Sequence, residues 1–276
     1  MSTLTVTDSV NTNVSAMLAL ESLTKTQQSL NTTQQEITTG LKVNGPQSDP
    51  STYAIAYKLQ VKVSGIQSVQ TALNSGESEI NTAINGGQSI ANLMQQLEAK
   101  AVQANQSGLD SASYTALNNA FTSLLNQIDT IVQSAKFSNV NLIQSGASAL
   151  TVLSTVDGST ITVSAQNLSV TGLGLSGITL GNSGAAATAL TAVNTAVNTV
   201  ANALAALGSS ANAVSTQATF TQQLMDNLNA GIGNLIDANL AQASAQLQAL
   251  QIKQQLGVQA LSIANSAPSS ILSLFR

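Results

Sequence analysis

The feature that most constrains this chain is a long regular series of apolar residues and glycines between residues 66 and 104. Its members follow at alternating steps of three and four: Ile66, Val69, Leu73, Gly76, Ile80, Ala83, Gly87, Ile90, Met94, Leu97, Ala101, Ala104. This alternation is the heptad pattern of a coiled-coil seam, so it predicts one long helix packed against a partner. A helix of ~40 residues extends on the order of 60 Å. Two glycines in the series predict close approach of another helix, since each costs about 1 kcal/mol relative to alanine.

Similar spacing recurs on both sides of this helix. An N-terminal seam ends at Gly40 and has Gln27 and Gln34 at two alternate positions; its apolar members are Ala16, Leu20, Leu23, Leu30, Ile37. A third seam follows a predicted N-cap at Asp110; its members are Tyr114, Leu117, Phe121, Leu124, Ile128, Ile131, Ala135. A fourth comprises Leu190, Val193, Val197, Val200, Leu204, Leu207, Ala211, Val214, Ala218.

The C-terminal seam is less regular than the others. Gln254 and Gly257 interrupt it, and its apolar members are Leu240, Ala243, Leu247, Leu250, Leu261, Ala264. Leu256 and Ile263 lie on a neighbouring stripe. Because polar residues dilute both terminal seams, a hairpin of the first and last helices alone is predicted to be marginally stable.

Residues 144–184 have a different character. Two β-prone runs flank Asp157-Gly158, which predicts a β-hairpin. The following GLGLSG, residues 172–177, matches the dinucleotide-binding fingerprint, but no helix start follows it. We therefore interpret it as a glycine-rich turn between short strands.

Composition excludes most catalytic chemistry. The chain has no Cys, His or Trp, and charged residues are 7% of it, compared with roughly 25% in an ordinary domain. Glu77 and Glu79 point to different sides of a helix and Asp226 and Asp237 are isolated, so all four are interpreted as solvated surface. The sequence predicts no catalytic, cofactor-binding or metal-ligating residues and no enzyme.

Charge and hydropathy also restrict the partners. The net charge is −4 with only eight Lys and Arg, which argues against nucleic acid. No stretch reaches the ~18 uncharged apolar residues of a membrane span, so no membrane insertion is predicted. The N-terminus lacks the basic start and apolar run of a secretory signal peptide.

These patterns predict a mainly α protein: an elongated antiparallel coiled-coil bundle built from both chain ends, with a small insert containing a β-hairpin at the tip. The predicted inner domain comprises residues 1–44 and 234–276. The outer helical domain comprises residues 45–143 and 185–233, and the insert residues 144–184.

The last residues are unusually apolar, with Ile271, Leu272, Leu274 and Phe275 close to the end. They either pack on their own chain or form an interface between chains. We favour the interface, because a narrow bundle has no large core to bury them.

Three segments resemble bacterial flagellin: residues 10–44 its start, residues 234–276 its end, and KFSNVNLI, residues 136–143, its Phe-Asn-Gly-x-x-Leu-Leu turn. Ser138-Asn139 stands where Asn-Gly is usual. The resemblance implies a subunit of the flagellar filament for swimming motility, secreted through the flagellar type III apparatus without a cleaved signal peptide. It also implies a terminal domain that folds on assembly and lines the central channel.

The resemblance implies partners as well: other flagellin subunits, including sister flagellins, an export chaperone, and the filament cap and hook-junction proteins. The implied contacts of the inner domain and the polymer are Leu20, Leu23, Leu30, Ile37, Leu240, Leu247, Leu250, Leu256, Leu261, Ile263, Ile271, Leu272, Leu274, Phe275. A hook-filament junction protein and, in a different class, a cell-surface coiled-coil adhesin are the alternative functions.

Two departures from the family pattern stand out. GPQSDPS, residues 45–51, carries two prolines in the connector after the first helix. Gln96 and Glu98 occupy the positions where flagellins recognised by the innate immune Toll-like receptor carry arginines. The resemblance therefore predicts a poor receptor agonist.

Overall fold

The computed structural model describes residues 12–273, and the side chains of residues 12–267. Within that range the elements are α1 (Val14–Thr39), α2 (Pro50–Ala104), α3 (Ser111–Ser134), β1 (Leu150–Leu153), β2 (Thr160–Val163), α4 (Ser183–Ile236) and α5 (Leu240–Ser273). They form two compact units: Met1–Val61 with Leu228–Arg276, and Lys62–Asn227. The predicted mainly α fold with a small antiparallel sheet is confirmed.

The long seam of α2 is confirmed at every position, because all twelve of its predicted members are buried. The helix itself is longer than expected, at 55 residues. Asp49 caps it: its Oδ1 accepts hydrogen bonds from the Ser51 and Thr52 N–H groups at 3.0 and 3.1 Å. Pro50 fits the first helical position, where no backbone donor is needed. Pro50, one of the two prolines noted in the connector, therefore starts the helix.

The core of the Lys62–Asn227 unit is shared by α2, α3, α4, the hairpin and the loop after it. At Gly87 the predicted close approach of a helix is confirmed, since an added Cβ would come 2.8 Å from Leu204 Cδ2 in α4. At Gly76 that prediction is wrong. A Cβ there would lie 2.5 Å from Val152 Cγ2, so this glycine accommodates β1.

The hairpin itself is confirmed, with β1 and β2 antiparallel and Gly158 at φ 91° in the turn. Its predicted position at the tip is corrected. Gln217 Nε2 of α4 donates to Ser154 O at 2.8 Å, and a Cβ on Gly65 of α2 would come 2.9 Å from Val156 Cγ1. The hairpin therefore lies along α2 and α4 rather than beyond the α2–α3 turn, because glycines of α2 leave room for it.

The glycine-rich segment after the hairpin contributes to the core. It forms turns, with Gly174 and Gly177 at positive φ, but β2 and α4 bound it, so the short strands predicted around it are absent from the described residues. Its leucines are at most 4% exposed: Leu168, Leu173, Leu175, Leu180. They are anchored from α3, where Asn118 Oδ1 accepts from Leu180 N at 2.8 Å.

The predicted cap of α3 is confirmed. Asp110 Oδ1 accepts from Ser113 N at 2.8 Å, and hydrogen bonding from Ser113 lowers the pKa of the Asp110 carboxyl. After α3 the chain makes a tight turn in which Phe137 and Val140 exchange two backbone hydrogen bonds. Buried Asn141 holds this turn against α3, donating to Val132 O at 2.6 Å.

One 18-residue window in α4 has a mean hydropathy of 1.2 and is, by length and composition alone, apolar enough to cross a membrane. The prediction that no stretch qualifies therefore needs correction on this measure. The inward positions of this helix lie in the core of the Lys62–Asn227 unit: Ala186, Ala189, Val193, Ala196, Val200 and Leu207 are at most 1% exposed.

Candidate assembly surfaces

The two terminal helices, α1 and α5, pair in antiparallel register. Three contacts define that register: Asn13 Nδ2 donates to Ala264 O at 2.7 Å, Leu23 packs on Gly257, and Gln254 Nε2 donates to Gln27 Oε1 at 2.6 Å. α1 ends at Gly40, whose φ of 71° is left-handed. The backbone beyond it joins the end of α4, with Lys42 N donating to Ile236 O at 2.7 Å.

The seam of α5 lies at the predicted positions from Ala243 onward, whereas predicted Leu240 is exposed, and the seam of α1 is partly different. The α5 members, buried or half-buried, are Ala243, Leu247, Leu250, Gln254, Gly257, Leu261, Ala264. Those of α1 are Ala16, Ala19, Leu23, Thr26, Leu30, Thr33, Ile37. Leu20, Gln27 and Gln34, which the sequence placed at alternate positions, are exposed. Small alanines and threonines replace them, because two helices in close contact need small residues at alternate layers.

The residues predicted to interrupt the seam are themselves contacts. Gln254 joins a short chain of amides in which Gln27 Nε2 donates to Asn31 Oδ1 at 3.2 Å. Gly257 leaves space for Leu23, since an added Cβ would lie 3.2 Å from Leu23 Cδ1. These polar and small residues are therefore contacts within the helix pair rather than breaks in its seam.

The predicted assembly contacts fall into four groups. Buried in the α1–α5 pair are Leu30 and Leu250, and half-buried are Leu23, Ile37, Leu247 and Leu261. Exposed are Leu20, Leu240, Leu256 and Ile263. The last four, Ile271, Leu272, Leu274 and Phe275, lie outside the described residues, the first two in their side chains only.

The far side of α5 carries a second apolar surface, formed by Ile252, Leu256 and Ile263, which are 58%, 58% and 70% exposed. We call these three residues the outer stripe. Each lies two positions after a seam residue, which places it about 200° around the helix. α5 is therefore apolar on opposite faces, and only one face is covered by α1. Leu256 and Ile263 lie on the neighbouring stripe predicted from the sequence, whereas Ile252 was not predicted, although its spacing of four from Leu256 was the available signal.

The start of α1 adds a further exposed apolar cluster, formed by Val14, Met17 and Leu18, which are 48%, 64% and 68% exposed.

A polar groove lies farther along the same helix pair, lined by Lys25, Glu36, Lys42, Asp237 and neighbouring amides and hydroxyls. Charges of both signs are present in it. Hydrogen bonding from Lys25 lowers the pKa of nearby Glu21.

Acidic side chains elsewhere are scattered. Among the residues that the structure describes, no three acidic groups come together as a set that could bind a metal. Asp226 and Asp237 are exposed as predicted, whereas Glu77 and Glu79 are half-buried, which corrects the prediction of a solvated surface. Burial raises the pKa of the Glu79 carboxyl.

Paired terminal helices, of which α5 is apolar on opposite faces, are typical of a helical structural protein that associates with other chains. Sequence comparisons identify the family. The N-terminal helical region of bacterial flagellin matches residues 10–148, and its C-terminal helical region matches residues 190–275. This chain belongs to the bacterial flagellin family, and it is a structural subunit of the extracellular flagellar filament that polymerises with other flagellin subunits.

Individual relatives support the assignment over the full length. Flagellin FljK of Caulobacter vibrioides is 42% identical over 270 residues, covering 98% of this chain and 99% of the relative. A flagellin of Brucella melitensis is 32% identical over 281 residues, covering 97% and 99%. The crystal structure of Bacillus cereus flagellin has a similar fold, with a TM-score of 0.50 at 21% identity, over 54% of this chain and 88% of that one.

Proposed function

We propose that copies of this chain contact one another through the outer stripe of α5 and the exposed cluster at the start of α1, in a filament that drives swimming. The observation that carries the proposal is the second apolar face of α5, which α1 does not cover. Contiguous exposed apolar surface on a helix is typical of protein–protein contacts. Repeated heterologous contacts of this kind extend into a helical tube rather than closing into a ring.

The finer roles of the terminal helices are part of the proposal. Residues 1–44 and 234–276 form an inner domain that folds on assembly and lines the central channel, with Ile271, Leu272, Leu274 and Phe275 among its contacts. Residues 45–143 and 185–233 form the outer helical domain, and residues 144–184 the surface insert. Weak burial supports folding on assembly, because few side chains of α1 and α5 are buried by their pairing alone.

Export and accessory partners follow from the same assignment. The subunit leaves through the flagellar type III apparatus without a cleaved signal peptide. It meets an export chaperone, the filament cap and the hook-junction proteins, and it co-assembles with sister flagellins. Support for these roles is membership of the flagellin family.

The assembly surface is tested by replacing Ile252, Leu256 and Ile263 together with glutamine, which keeps helix propensity and removes the apolar stripe. We expect filaments to be lost on salting-out of the purified protein, as seen by electron microscopy, with helix content unchanged. The matched control is the exposed polar change Gln255→Ser on the same helix. Normal filaments from the triple variant would contradict the proposal.

The C-terminal contacts have their own test. A variant that lacks residues 271–276 should fail to form filaments under the same conditions. Normal filaments from the truncated chain would show that the apolar end makes no assembly contact.

We further propose weak recognition by the innate immune receptor. Gln96 is exposed and Glu98 half-buried on α2, flanking buried Leu97, so neither offers a cation at this surface. A reporter-cell assay with the purified subunit should show low potency, and Gln96→Arg with Glu98→Arg should raise it. Full potency of the unmodified protein would refute this proposal.

A further inference from the structure

The hydrogen bond from Asn13 to Ala264 joins two features that lie 251 residues apart in the chain. Asn13 is the N-cap of α1, and its side-chain Oδ1 accepts the Ala16 N–H at 2.9 Å. The other atom of the same amide, Nδ2, donates to the main-chain oxygen of Ala264 in α5 at 2.7 Å. One side chain therefore both caps its own helix and binds the partner helix.

The acceptor in α5 is chemically distinctive. In an α-helix each carbonyl oxygen receives the N–H of the residue four positions later. For Ala264 that residue is Pro268, which lies within α5 and has no backbone N–H. The Ala264 oxygen thus lacks its intrahelical partner, and Asn13 supplies the missing donor.

We infer that Asn13 and Pro268 together set the register of the α1–α5 pair, by matching the one N-cap amide of α1 to the carbonyl that Pro268 leaves free. The inference concerns pairing within one chain, so it does not depend on the contacts proposed between subunits. The same pairing explains why asparagine occupies position 13. Among good N-cap residues, asparagine carries a donor and an acceptor on separate atoms of its side chain.

The register needs such a device because the seam itself is permissive. In α1 similar residues recur every heptad, with Leu23, Leu30 and Ile37 at one position and Ala19, Thr26 and Thr33 at the other, so a shift of seven residues presents similar residues to α5 at many layers. A shift of one heptad displaces α5 by about 10 Å along α1. It would leave the Ala264 oxygen without a donor, and the outer stripe would lie beside a different part of α1.

The other cross-helix contacts agree with this register. Leu23 meets Gly257, and Gln27 meets Gln254. Counting from Leu23 opposite Gly257, Ala19 faces Leu261, four residues away on each helix. After a shift of one heptad, Thr26 would face Leu261 instead.

The absence of cysteine from the chain allows a direct test. Full-length proteins carry either Ala19→Cys with Leu261→Cys, which reports the observed register, or Thr26→Cys with Leu261→Cys, which reports the shifted one. The rate of intramolecular disulfide formation is measured on non-reducing gels under one salting-out condition, whether or not filaments form. Electron microscopy scores assembly separately, so failure to assemble is distinguished from loss of register.

Each cysteine pair is placed in four backgrounds: unmodified, Asn13→Ser, Pro268→Ala, and both changes. Serine keeps an N-cap acceptor but lacks the amide donor. Asn13→Ser alone should lower the ratio of observed to shifted disulfide about five- to tenfold, the effect of one missing hydrogen bond to a part-buried carbonyl. Pro268→Ala should lower the ratio by a similar factor, because the alanine N–H then satisfies the Ala264 oxygen in either register, and Asn13→Ser should cause little further fall in that background.

The interaction between the two substitutions decides the question. If Asn13→Ser lowers the disulfide ratio equally with proline and with alanine at position 268, Asn13 acts only as a cap. If Asn13→Ser lowers the ratio in neither background, Asn13 does not set the register. Both results would overturn the inference.

Discussion

At the scale of single residues, several positions in this chain are set by backbone proximity or backbone conformation rather than by side-chain chemistry. Gly76 and Gly87 of α2 lie against Val152 and Leu204, so a side chain at either position would meet its neighbour. Ser138 and Asn139 have φ values of 45° and 70°, in the left-handed region that L-residues avoid. Substitutions at such positions have effects that hydrophobicity alone would not predict.

Gly76→Ala should destabilise the Lys62–Asn227 unit although alanine favours helix. The new Cβ would lie 2.5 Å from Val152 Cγ2, which forces overpacking costing about 1–3 kcal/mol. Thermal unfolding should shift down by about 2–4 °C per kcal/mol. Gly208→Ala in α4 is the matched control, since nothing lies within 4 Å of its added Cβ. That change should stabilise by about 0.5–1 kcal/mol, and a similar gain at Gly76 would contradict the contact with the hairpin.

The turn after α3 permits a stabilising change. Phe137 and Val140 exchange backbone hydrogen bonds of 3.0 and 2.8 Å around two residues of positive φ, which is the arrangement of a type I′ hairpin turn. Asn139→Gly should raise the free energy of unfolding by about 1 kcal/mol, because glycine adopts positive φ without steric cost. Denaturant titration measures the gain. Asn139→Ala serves as the opposite control, and a stabilisation by alanine would argue against the left-handed turn.

At the scale of elements, heptad spacing predicts α2 well because the alternating steps of three and four run unbroken through all twelve positions of its seam. The α1 seam could not be placed as well, since Leu20 is more apolar than Ala19 or Thr26 but points outward. Hydrophobicity alone does not show that two helices in close contact need small residues between them. Nothing in the sequence pattern indicates that the loop leucines at 168–180 complete the core, because tertiary contacts hold them there, with Leu180 bonded to Asn118 of α3 and Leu168 beside Gly87 of α2. The outer stripe was partly visible in the sequence, whereas the cross-helix amide contacts depend on register.

The N-cap of α3 predicts a specific pH dependence. Hydrogen bonding to Ser113 lowers the pKa of Asp110 in the folded chain, so the stabilisation is present above the unfolded pKa and is lost as pH falls through the folded value. Because Asp49 and Glu21 also have lowered pKa values, the informative quantity is a difference between proteins. Asp110→Asn keeps a capping oxygen without a titrating group. The unfolding temperature of the unmodified protein should fall relative to that of Asp110→Asn on acidification below about pH 4. A constant difference between about pH 5 and about pH 2 would contradict this role.

At the scale of the whole molecule, burial is unevenly divided between the two units. The continuous hydrophobic core lies between Val69 and Ala218, inside the Lys62–Asn227 unit. In the unit that contains α1 and α5, the residues that the structure describes as buried are Leu30, Thr33, Val43, Ala56, Ile232, Ala243 and Leu250. The unit with few buried residues is therefore also the unit in which α5 leaves apolar side chains exposed. In the proposed assembly, the Lys62–Asn227 unit holds the shape of the subunit and the apolar surface of the other unit contacts neighbouring chains.

This division makes a prediction for a fragment of residues 45–233, which keeps the Asp49 cap and the core but loses α1 and α5. It should unfold cooperatively, with a Tm within about 4 °C of the main transition of the full chain, a shift that corresponds to roughly 1 kcal/mol. It should also fail to polymerise on salting-out, because the outer stripe is gone. Calorimetry and electron microscopy measure the two properties on one sample.

Deleting the hairpin residues 150–163 from the full chain is the complementary control. This deletion removes far fewer residues, yet it should lower the Tm more, since Val152 and Val163 are at most 3% exposed in the core. If the fragment instead melted without cooperativity, the terminal helices would have to stabilise the core across the unit boundary, and their apolar faces would be committed within the subunit rather than available for assembly.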